Sequence, residues 1–309
     1  MEEVLEKYVG RLAPSPTGAL HLGNARTFMI AWLRARSQGG RVILRIEDLD
    51  HPKDKPGAAA QSIEDLRWLG FDWDEAYVQS ERKERYREAL AKLDAYPCVC
   101  SRKDVEAAQS APHAGEQLYY SGTCRDRFSS WKDAFAYKGA APCWRFRVPR
   151  RTIVQFDDVF YGHYAQAVSE TLGDFPIARD EFGAGYTLAV VVDDAEMGVT
   201  EVVRGDDLLA ATPAQILLQR ALNLPTPQYC HVPLVIGEDG KRLAKRHGDT
   251  RIASFRESGH SPKELIGMLA HSCGWAEKGE QLGLVDLLPR FTLSTIPHTP
   301  CRLMALHDQ

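Results

Sequence analysis

The chain has 309 residues and a hydrophobic fraction of 44%, enough for one large domain with an insert or for two domains. Its formal net charge of -4 gives no general attraction to nucleic acid, so such a partner would need a local basic face. No run of about 20 apolar residues occurs and the acidic N-terminus lacks a signal-peptide core, so we expect no membrane contact. Seven cysteines without the spacing of a secreted scaffold indicate a reducing cytoplasm.

The first predicted elements form a candidate nucleotide site. An apolar run at 8–13 predicts a strand, prolines and Gly18 break it, and a helix pattern covers 25–35. Open α/β sheets bind ligands at the carboxyl ends of their strands, where helix N-termini can face phosphate. The stretch 11–26 carries neither a Gly-Lys-Thr/Ser phosphate loop nor a dinucleotide fingerprint. A second, basic loop would therefore be needed to hold phosphate charge.

The pattern continues with a strand at 41–46 and a helix from about 57 to 69. A charged helix is predicted from Ser80, as its N-cap, to Leu93. Residues 98–175 differ in composition, because they are polar and show no long helix or strand pattern. They are predicted to form an insert between two halves of an α/β domain. Within the insert, 144–148 and 153–156 alternate like the two strands of a hairpin.

The second half contains the nearly all-apolar run 186–192, which predicts a central parallel strand buried on both faces. Further strands are predicted at 199–203 and 229–236, with a helix to Leu222 that is capped by Thr212. A glycine-bounded basic loop covers 237–248 and a helical pattern covers 262–273. The predicted units are 1–97, 98–175, 176–248 and 249–309.

Three of the cysteines form a candidate metal site. Cys98, Cys100 and Cys124 offer a short Cys-x-Cys pair and a distant third thiol, which suits a closed structural zinc site. The fourth ligand is open between Tyr120 and His113, and histidine is the commoner ligand on general chemistry. The predicted fold is therefore α/β, a doubly wound parallel sheet with an inserted zinc-binding subdomain and a short helical C-terminal extension.

Two segments about 220 residues apart together resemble the signatures of a class I aminoacyl-tRNA synthetase. They are His21-Leu-Gly-Asn24 and Lys241-Arg-Leu-Ala-Lys-Arg246. The implied chemistry is attack of a carboxylate on the α-phosphate of ATP, which requires positioning and charge neutralisation as pyrophosphate leaves. One residue departs from the signature, because Ala244 stands where the family carries a serine before its second lysine.

Six ordered blocks from Arg11 to about Gly248 look like the glutamyl-tRNA synthetase group. They are RLAPSPTG at 11–18, HLGN at 21–24, LRIED at 44–48, YTLAVVVDD at 186–194, VRGD at 203–206 and LAKRHG at 243–248. The resemblance implies a Rossmann-like catalytic domain that uses ATP with Mg²⁺. It also implies a tyrosine among the zinc ligands, which gives the metal set Cys98, Cys100, Tyr120 and Cys124 with one structural Zn²⁺.

Carried over residue by residue, the resemblance implies three overlapping sets. The catalytic set is His21, Asn24 and Lys245. The ATP-binding set is His21, Gly23 and Lys245. The glutamate-binding set is Arg11, Leu12, Ala13, Pro14, Ser15, Glu47, Tyr186 and Arg204.

The chemistry of glutamate agrees with the last set, since two carboxylates and one ammonium need two cations and one anion. Arg11 and Arg204 are implied to hold the carboxylates, and Ser15 and Glu47 the amino end. The alternative for Arg204 and Glu47 is a purely internal ion pair.

Only 61 residues follow Gly248, which leaves no room for the anticodon-binding domains of full glutamyl-tRNA synthetases. The length and motifs resemble the glutamyl-Q tRNA(Asp) synthetases. That family is implied to activate L-glutamate without tRNA and to transfer it to the cyclopentenediol of queuosine in the tRNA(Asp) anticodon. A monomer is expected, and the arginines of the insert form a candidate phosphate-contacting face, namely Arg125, Arg127, Arg145, Arg147, Arg150 and Arg151. The alternatives are a truncated synthetase that charges tRNA(Glu) and a synthetase-like binding protein without activity.

Overall fold

The computed structural model describes residues 8–16, 18–49, 57–108, 118–181, 183–237 and 250–302. The strands are β1 Val9–Leu12, β2 Arg41–Ile46, β3 Glu75–Val78, β4 Ala95–Cys98, β5 Cys143–Phe146, β6 Ile153–Asp158, β7 Gly162–Ala167, β8 Phe175–Ala178, β9 Glu201–Gly205, β10 Gln228–Val232, β11 Val235–Ile236 and β12 Cys301–Arg302. The α-helices are α1 Leu22–Arg36, α2 Ala58–Trp68, α3 Lys83–Leu90, α4 Arg102–Ala107, α5 Trp131–Lys138, α6 Val168–Thr171, α7 Tyr186–Glu196, α8 Thr212–Ala221, α9 Ile252–Glu257 and α10 Pro262–His271. Short 3-10 helices cover Gln79–Arg82, Asp206–Ala211, Val285–Arg290 and Leu293–Thr295.

Parallel strands from both halves of the chain lie side by side. One set has the order β1-β2-β3 and the other the order β7-β6-β10-β9, in which only β7 is antiparallel to its neighbour. The two sets meet where the Thr200 amide donates to the Val9 carbonyl oxygen at 3.0 Å. The strand order therefore reverses between β1 and β9, which is the switch point where such sheets bind ligands.

Alternate residues of the strands supply two separate cores. Val42 and Leu44 pack in one core with α1 and α10, whereas Ile43 between them packs in the other with α7 and α8. The same alternation separates Val203 from Val202 on β9. Helices thus cover both faces of the sheet, and the prediction of a doubly wound α/β fold is confirmed.

The apolar run 186–192 forms the helix α7, so the prediction of a central strand was wrong. An unbroken apolar run is typical both of a strand buried on two faces and of a helix buried on most sides. Leu188 to Asp194 are all buried, which explains why no polar face interrupted the run. The central strands of this half are β9 and β10.

The predicted hairpin of 144–148 with 153–156 was also wrong. β5 pairs antiparallel with β4 and β8, whereas β6 pairs with β7 and β10. The turn between β5 and β6 includes Arg151 with a φ of +57° and carries the chain from one sheet to the other. The segment 98–175 therefore contributes strands both to a small antiparallel sheet and to the edge of the main sheet.

Two predicted helix caps bond elsewhere. The Ser80 hydroxyl and amide donate to Asp48, and a 3-10 turn precedes α3. Thr212 is the first residue of α8, where Ala211 occupies the N-cap position. The strand predicted at 229–236 is divided into β10 and β11. No helix in the described part of the chain has the length and hydropathy needed to cross a bilayer.

Candidate functional site

A cavity of about 420 Å³ opens at the switch point between β1 and β9. Its walls come from the loop after β1, the first turn of α1, the end of β2, the start of α7 and the segment after β9. Most of the predicted site residues line it, namely Arg11, Ala13, Pro14, Ser15, His21, Gly23, Asn24, Glu47, Tyr186 and Arg204. Leu12 does not, because its side chain is fully buried in the core beneath α1. Lys245 lies outside the described residues.

Arg11 reaches the cavity from the end of β1. Its Nη1 donates to the carbonyl oxygen of Val203 at 2.8 Å, which ties it to the neighbouring strand β9. Its Nε is buried and has no hydrogen-bond partner among the described residues, although Asp194 lies 3.9 Å away. Burial lowers the pKa of Arg11, and the nearby Asp194 carboxylate acts in the opposite direction. A buried guanidinium with an unused donor suits a site for a carboxylate.

Arg204 approaches the same cavity from β9 and is held from behind. Its Nε donates to Nε2 of His231 at 3.0 Å, and its Nη2 donates to Oγ1 of Thr212 at 2.7 Å. The guanidinium also lies over the Tyr229 ring, 5.2 Å from its centroid. Neither His231 nor Thr212 was among the predicted site residues, because nothing in their local sequence marks them as partners of Arg204.

Glu47 follows β2 and supplies the anionic side of the cavity. Its carboxylate accepts from Nη2 of Arg45 at 3.0 Å, and Nη1 of Arg45 also donates to Asp194 at 2.6 Å. Burial raises the pKa of Glu47, while Arg45 and then Arg11 act to lower it. Glu47 is thus ion-paired internally and lines the cavity as well, and its ion partner is Arg45 rather than Arg204.

The first turn of α1 brings three predicted residues together. His21 occupies the N-cap position with extended backbone angles, and its amide donates to Oδ1 of Asn24 at 3.4 Å. A Cβ at Gly23 would meet the His21 ring at 3.2 Å and the Val235 side chain at 3.6 Å. The missing side chain at Gly23 therefore lets the imidazole and β11 lie close to the helix start.

Both flanks of the predicted basic loop lie beside this helix start. Before the loop, Leu234 and Val235 line the cavity. After it, the Leu22 amide donates to the Thr250 carbonyl at 3.0 Å and the Ile252 amide donates to the Leu20 carbonyl at 2.9 Å. The loop residues themselves, 238–249, are outside the described part of the chain. The residues on either side of the loop, however, lie next to the His21–Asn24 segment.

The predicted metal ligands cluster at the end of β4, whose last residue is Cys98. Sulfur atoms of Cys98, Cys100 and Cys124 all lie within 4.8 Å of one another. The Tyr120 hydroxyl oxygen lies 3.3 Å from the Cys98 sulfur and 3.9 Å from the Cys100 sulfur. Tetrahedral Zn–S bonds of about 2.3 Å separate ligand atoms by roughly 3.8 Å, so the four donors fit a zinc ion. His113 lies outside the described residues.

The surroundings favour the thiolate form, the form that binds metal, at Cys98 but not at Cys100, whose pKa burial and the neighbouring Cys98 and Cys124 raise to about 12. A hydrogen bond from Cys143 and the positive charge of Arg145 lower the pKa of Cys98. Arg145 donates from Nε to the Cys98 sulfur at 3.2 Å and lies over the Tyr120 ring, 3.7 Å from its centroid. Arg145 is buried, so its predicted place on a phosphate-contacting face was wrong. Arg127, Arg150 and Arg151 are exposed.

The family model for the catalytic domain of class I tRNA synthetases (E and Q) matches residues 7–285. The chain belongs to this family of ATP-dependent ligases. Within it, the chain groups with the glutamyl-Q tRNA(Asp) synthetases. That of Symbiobacterium thermophilum is 49% identical over 96% of each chain, and that of Rhodopirellula baltica is 50% identical over 88% of this chain and 86% of the relative.

Longer relatives share the catalytic region. The glutamate–tRNA ligase of Aquifex aeolicus is 41% identical over 96% of this chain, which spans 64% of that relative. A crystal structure of the glutamate–tRNA synthetase of Elizabethkingia anophelis superposes with a TM-score of 0.80 at 28% identity, over 97% of this chain and 68% of that one. The resemblance predicted from the sequence blocks is thereby confirmed.

Proposed function

We propose that the protein activates L-glutamate with ATP and transfers the glutamyl group to the cyclopentenediol of queuosine in the anticodon of tRNA(Asp). The observation that carries this proposal is the arrangement of Arg11, Arg204 and Glu47 around one cavity at the switch point of the sheet. Two cations and one anion complement a substrate with two carboxylates and one ammonium. The names of the near-full-length relatives support the choice of acceptor.

In this proposal Arg11 and Arg204 bind the two carboxylates of glutamate. Glu47 and Ser15 receive the ammonium, and Tyr186 contacts the substrate from the first turn of α7. Leu12 contributes through the backbone only, since its side chain is in the core. Arg45 favours the ionised form of Glu47, because its positive charge acts against the rise in pKa that burial causes.

ATP binds in this proposal at the start of α1. His21 and Gly23 lie next to its phosphates, where the amides of the helix N-terminus face negative charge. Asn24 holds the backbone of His21 in place. Lys245 is proposed to neutralise the triphosphate from the loop whose two anchors flank this helix start. Mg²⁺ would accompany ATP, as in most triphosphate chemistry.

The first step forms a bond between an oxygen of the α-carboxylate and the α-phosphorus of ATP. The bond from that phosphorus to the bridging oxygen breaks, and pyrophosphate leaves with its electron pair. In the second step a cyclopentenediol hydroxyl oxygen attacks the carbonyl carbon of glutamyl-adenylate, its proton is lost and AMP leaves. The residues above contribute positioning and charge neutralisation to both steps.

Glutamate-dependent ATP–pyrophosphate exchange without tRNA tests the activation step. The Lys245→Ala variant is expected to lower exchange by about 100-fold or more, because charge stabilisation of the triphosphate is lost. Lys92→Ala, which removes an exposed lysine after α3, is the control and should keep normal exchange. Absence of exchange in the unmodified protein would refute the activation step, and normal exchange in Lys245→Ala would refute the role of this lysine.

Labelling with radioactive glutamate tests the acceptor. Queuosine-containing tRNA(Asp) and tRNA(Glu) are offered separately, and the labelled fragment is mapped after nuclease digestion. Label in the anticodon loop of tRNA(Asp) is expected. Label at the acceptor end of tRNA(Glu) would instead support the truncated charging enzyme.

The proposal includes one zinc ion held by Cys98, Cys100, Cys124 and Tyr120, which would cross-link the loop after β4 to the segment around Tyr120. Cys124→Ser is expected to lose stoichiometric zinc in mass spectrometry, whereas Cys301→Ser should retain it. Tyr120→Phe should weaken zinc binding by about 10-fold or more, since one ligand atom is removed. Retained affinity in Tyr120→Phe together with its loss in His113→Ala would move the fourth ligand to the histidine.

The proposal also takes the protein to be a monomer that acts in the cytoplasm, where tRNA is found. Light scattering of the purified chain, with and without zinc, tests the monomer. A mass of 34.5 kDa is expected, and a stable mass of twice that value would contradict it.

A further inference from the structure

Behind Arg204 a row of buried side chains crosses three neighbouring strands. Asp158 is the last residue of β6, His231 lies near the end of β10, and Arg204 lies opposite His231 in the register of β9 and β10. His231 is completely buried, and Asp158 and Arg204 are 3% and 5% exposed. None of the residues behind Arg204 reaches the cavity, so they are not part of its lining.

In this row each side chain donates a hydrogen bond to the next, from Arg204 to His231 and from His231 to Asp158. Oδ2 of Asp158 lies 2.6 Å from Nδ1 of His231 and accepts a hydrogen bond from Nδ1–H. Nε2 of the same ring must then be an acceptor, and it receives Nε–H of Arg204 at 3.0 Å. Thr212 receives Nη2 of Arg204, and its hydroxyl oxygen lies 3.1 Å both from the Leu208 carbonyl oxygen and from Nε2 of His231. Two nitrogens of the guanidinium are thus held from behind.

We infer that Asp158 and His231 are positioning residues, which fix the tautomer of the imidazole and thereby aim the Arg204 guanidinium at a substrate carboxylate. This inference rests on the proposed role of Arg204 in holding glutamate. A neutral His231 is essential to it, because an imidazolium would turn an N–H toward the guanidinium and place two cations in contact. The side chain at position 231 must therefore accept a hydrogen bond from Arg204 and must not carry a positive charge.

The charged and titratable groups around His231 come from four strands. They are Asp158 on β6, Arg204 on β9, Arg11 on β1 and Tyr229 on β10, whose ring stacks at 6.1 Å from the imidazole. Burial lowers the pKa of His231, and the two arginines act in the same direction, whereas Asp158 raises it. The ring is thus neutral at pH 7, and its acceptor is lost only as the pH falls.

The test uses the full-length protein with three variants. His231→Leu removes the acceptor. His231→Gln keeps a side-chain oxygen that can accept from Arg204 but cannot titrate. Cys230→Ala is the matched control, because Cys230 is equally buried on the same strand but packs in the opposite core. Glutamate binding is measured by calorimetry, and the KM values for glutamate and ATP are measured by exchange.

We expect His231→Leu to weaken glutamate binding by about 10-fold or more, the usual cost of a lost hydrogen bond to a charged group. The KM for ATP should change by less than about 3-fold in the same variant. His231→Gln should recover most of the loss. As the pH falls below about 6.5, the ordinary value from which burial lowers the pKa of His231, glutamate affinity of the unmodified protein should fall more steeply than that of His231→Gln.

Unchanged glutamate binding in His231→Leu would overturn the inference, as would equal losses for glutamate and ATP. Where His231→Leu does not fold, identical pH profiles of His231→Gln and the unmodified protein would overturn it. Failure of the unmodified protein to bind glutamate would refute the proposed function itself. Normal glutamate binding by the unmodified protein, together with unchanged binding by the His231 variants, would refute only the inference about His231 and Asp158.

Discussion

The charge arrangement at the cavity depends on Arg45, whose side chain is completely buried. It bridges Glu47 and Asp194, and Asp193 lies 3.9 Å from its Nε. Buried carboxylates tolerate ionisation only when a cation is close. Arg45 thus favours the ionised form of Glu47 without contributing to the lining of the cavity.

Replacement of Arg45 by Met is expected to lower the free energy of unfolding by about 3–5 kcal/mol, because Glu47 and Asp194 both lose their hydrogen-bonded cation. The matched control is Arg41→Met on the same strand, where the arginine is 42% exposed and pairs with Glu75. That change should cost less than about 1 kcal/mol. Urea denaturation measures both, and equal losses would contradict the assigned role of Arg45.

Sequence motifs located the residues at strand ends but not their supports. Arg11, Glu47 and Arg204 each belong to a recognisable block, and all three reach one cavity. His231 is 27 residues from Arg204 in sequence, and Asp158 is 73 residues from His231. Such partners are brought together only by the order of strands in the sheet, which local patterns do not encode.

At the scale of elements, α7 shows why hydrophobic pattern alone misassigned a segment. Its valines favour a strand, yet the helix presents nearly every side to other elements. Asp193 and Asp194 directly follow the apolar residues and belong to the same helix. Two adjacent acidic residues argue against a central strand buried on both faces. They are buried because Arg82, Tyr86 and Gln79 bond the first, and Arg45 bonds the second.

The backbone at Tyr120 packs closely against one glycine, Gly173. Gly173 has a φ of +67°, and a Cβ there would overlap the Tyr120 carbonyl oxygen, which belongs to a β-bridge between the two residues. The small antiparallel sheet and the metal cluster are joined at this contact, because β8 begins two residues later.

Gly173→Ala is expected to destabilise the protein by more than about 2 kcal/mol, since backbone strain and overlap add together. It should also weaken zinc binding. Gly162→Ala is the control, with a φ of +76° but open space around the added methyl group, and should cost only about 1 kcal/mol. Thermal unfolding with and without added zinc measures both, and equal effects would rule out the contact with Tyr120 as the cause.

At the scale of the whole molecule, the two halves of the sheet meet along the seam between β1 and β9. The Val9 amide donates to Oγ1 of Thr200 at 2.9 Å, and the Thr200 amide donates to the Val9 carbonyl. Next to them Glu201 accepts from Tyr8 and from Arg34. The side chain of Thr200 therefore satisfies a buried backbone group at the point where the halves join.

Thr200→Val should lower the free energy of unfolding by about 1–3 kcal/mol, because the buried Val9 amide loses its acceptor. Thr200→Ser keeps the hydroxyl and is expected to stay within about 1 kcal/mol of the unmodified protein. Guanidinium chloride titrations compare the two. A Thr200→Val protein as stable as Thr200→Ser would show that the hydroxyl does not stabilise the seam.

The position of Arg11 and Arg204 on opposite sides of this seam has a consequence for the lifetime of the protein. A glutamate held by both arginines would brace one half of the sheet against the other, and a ligand that binds only the folded state raises its stability with concentration. Degradation of the protein in the cell would then follow amino-acid supply. A seam variant such as Thr200→Val would be short-lived in cells depleted of glutamate and close to normal in cells rich in it.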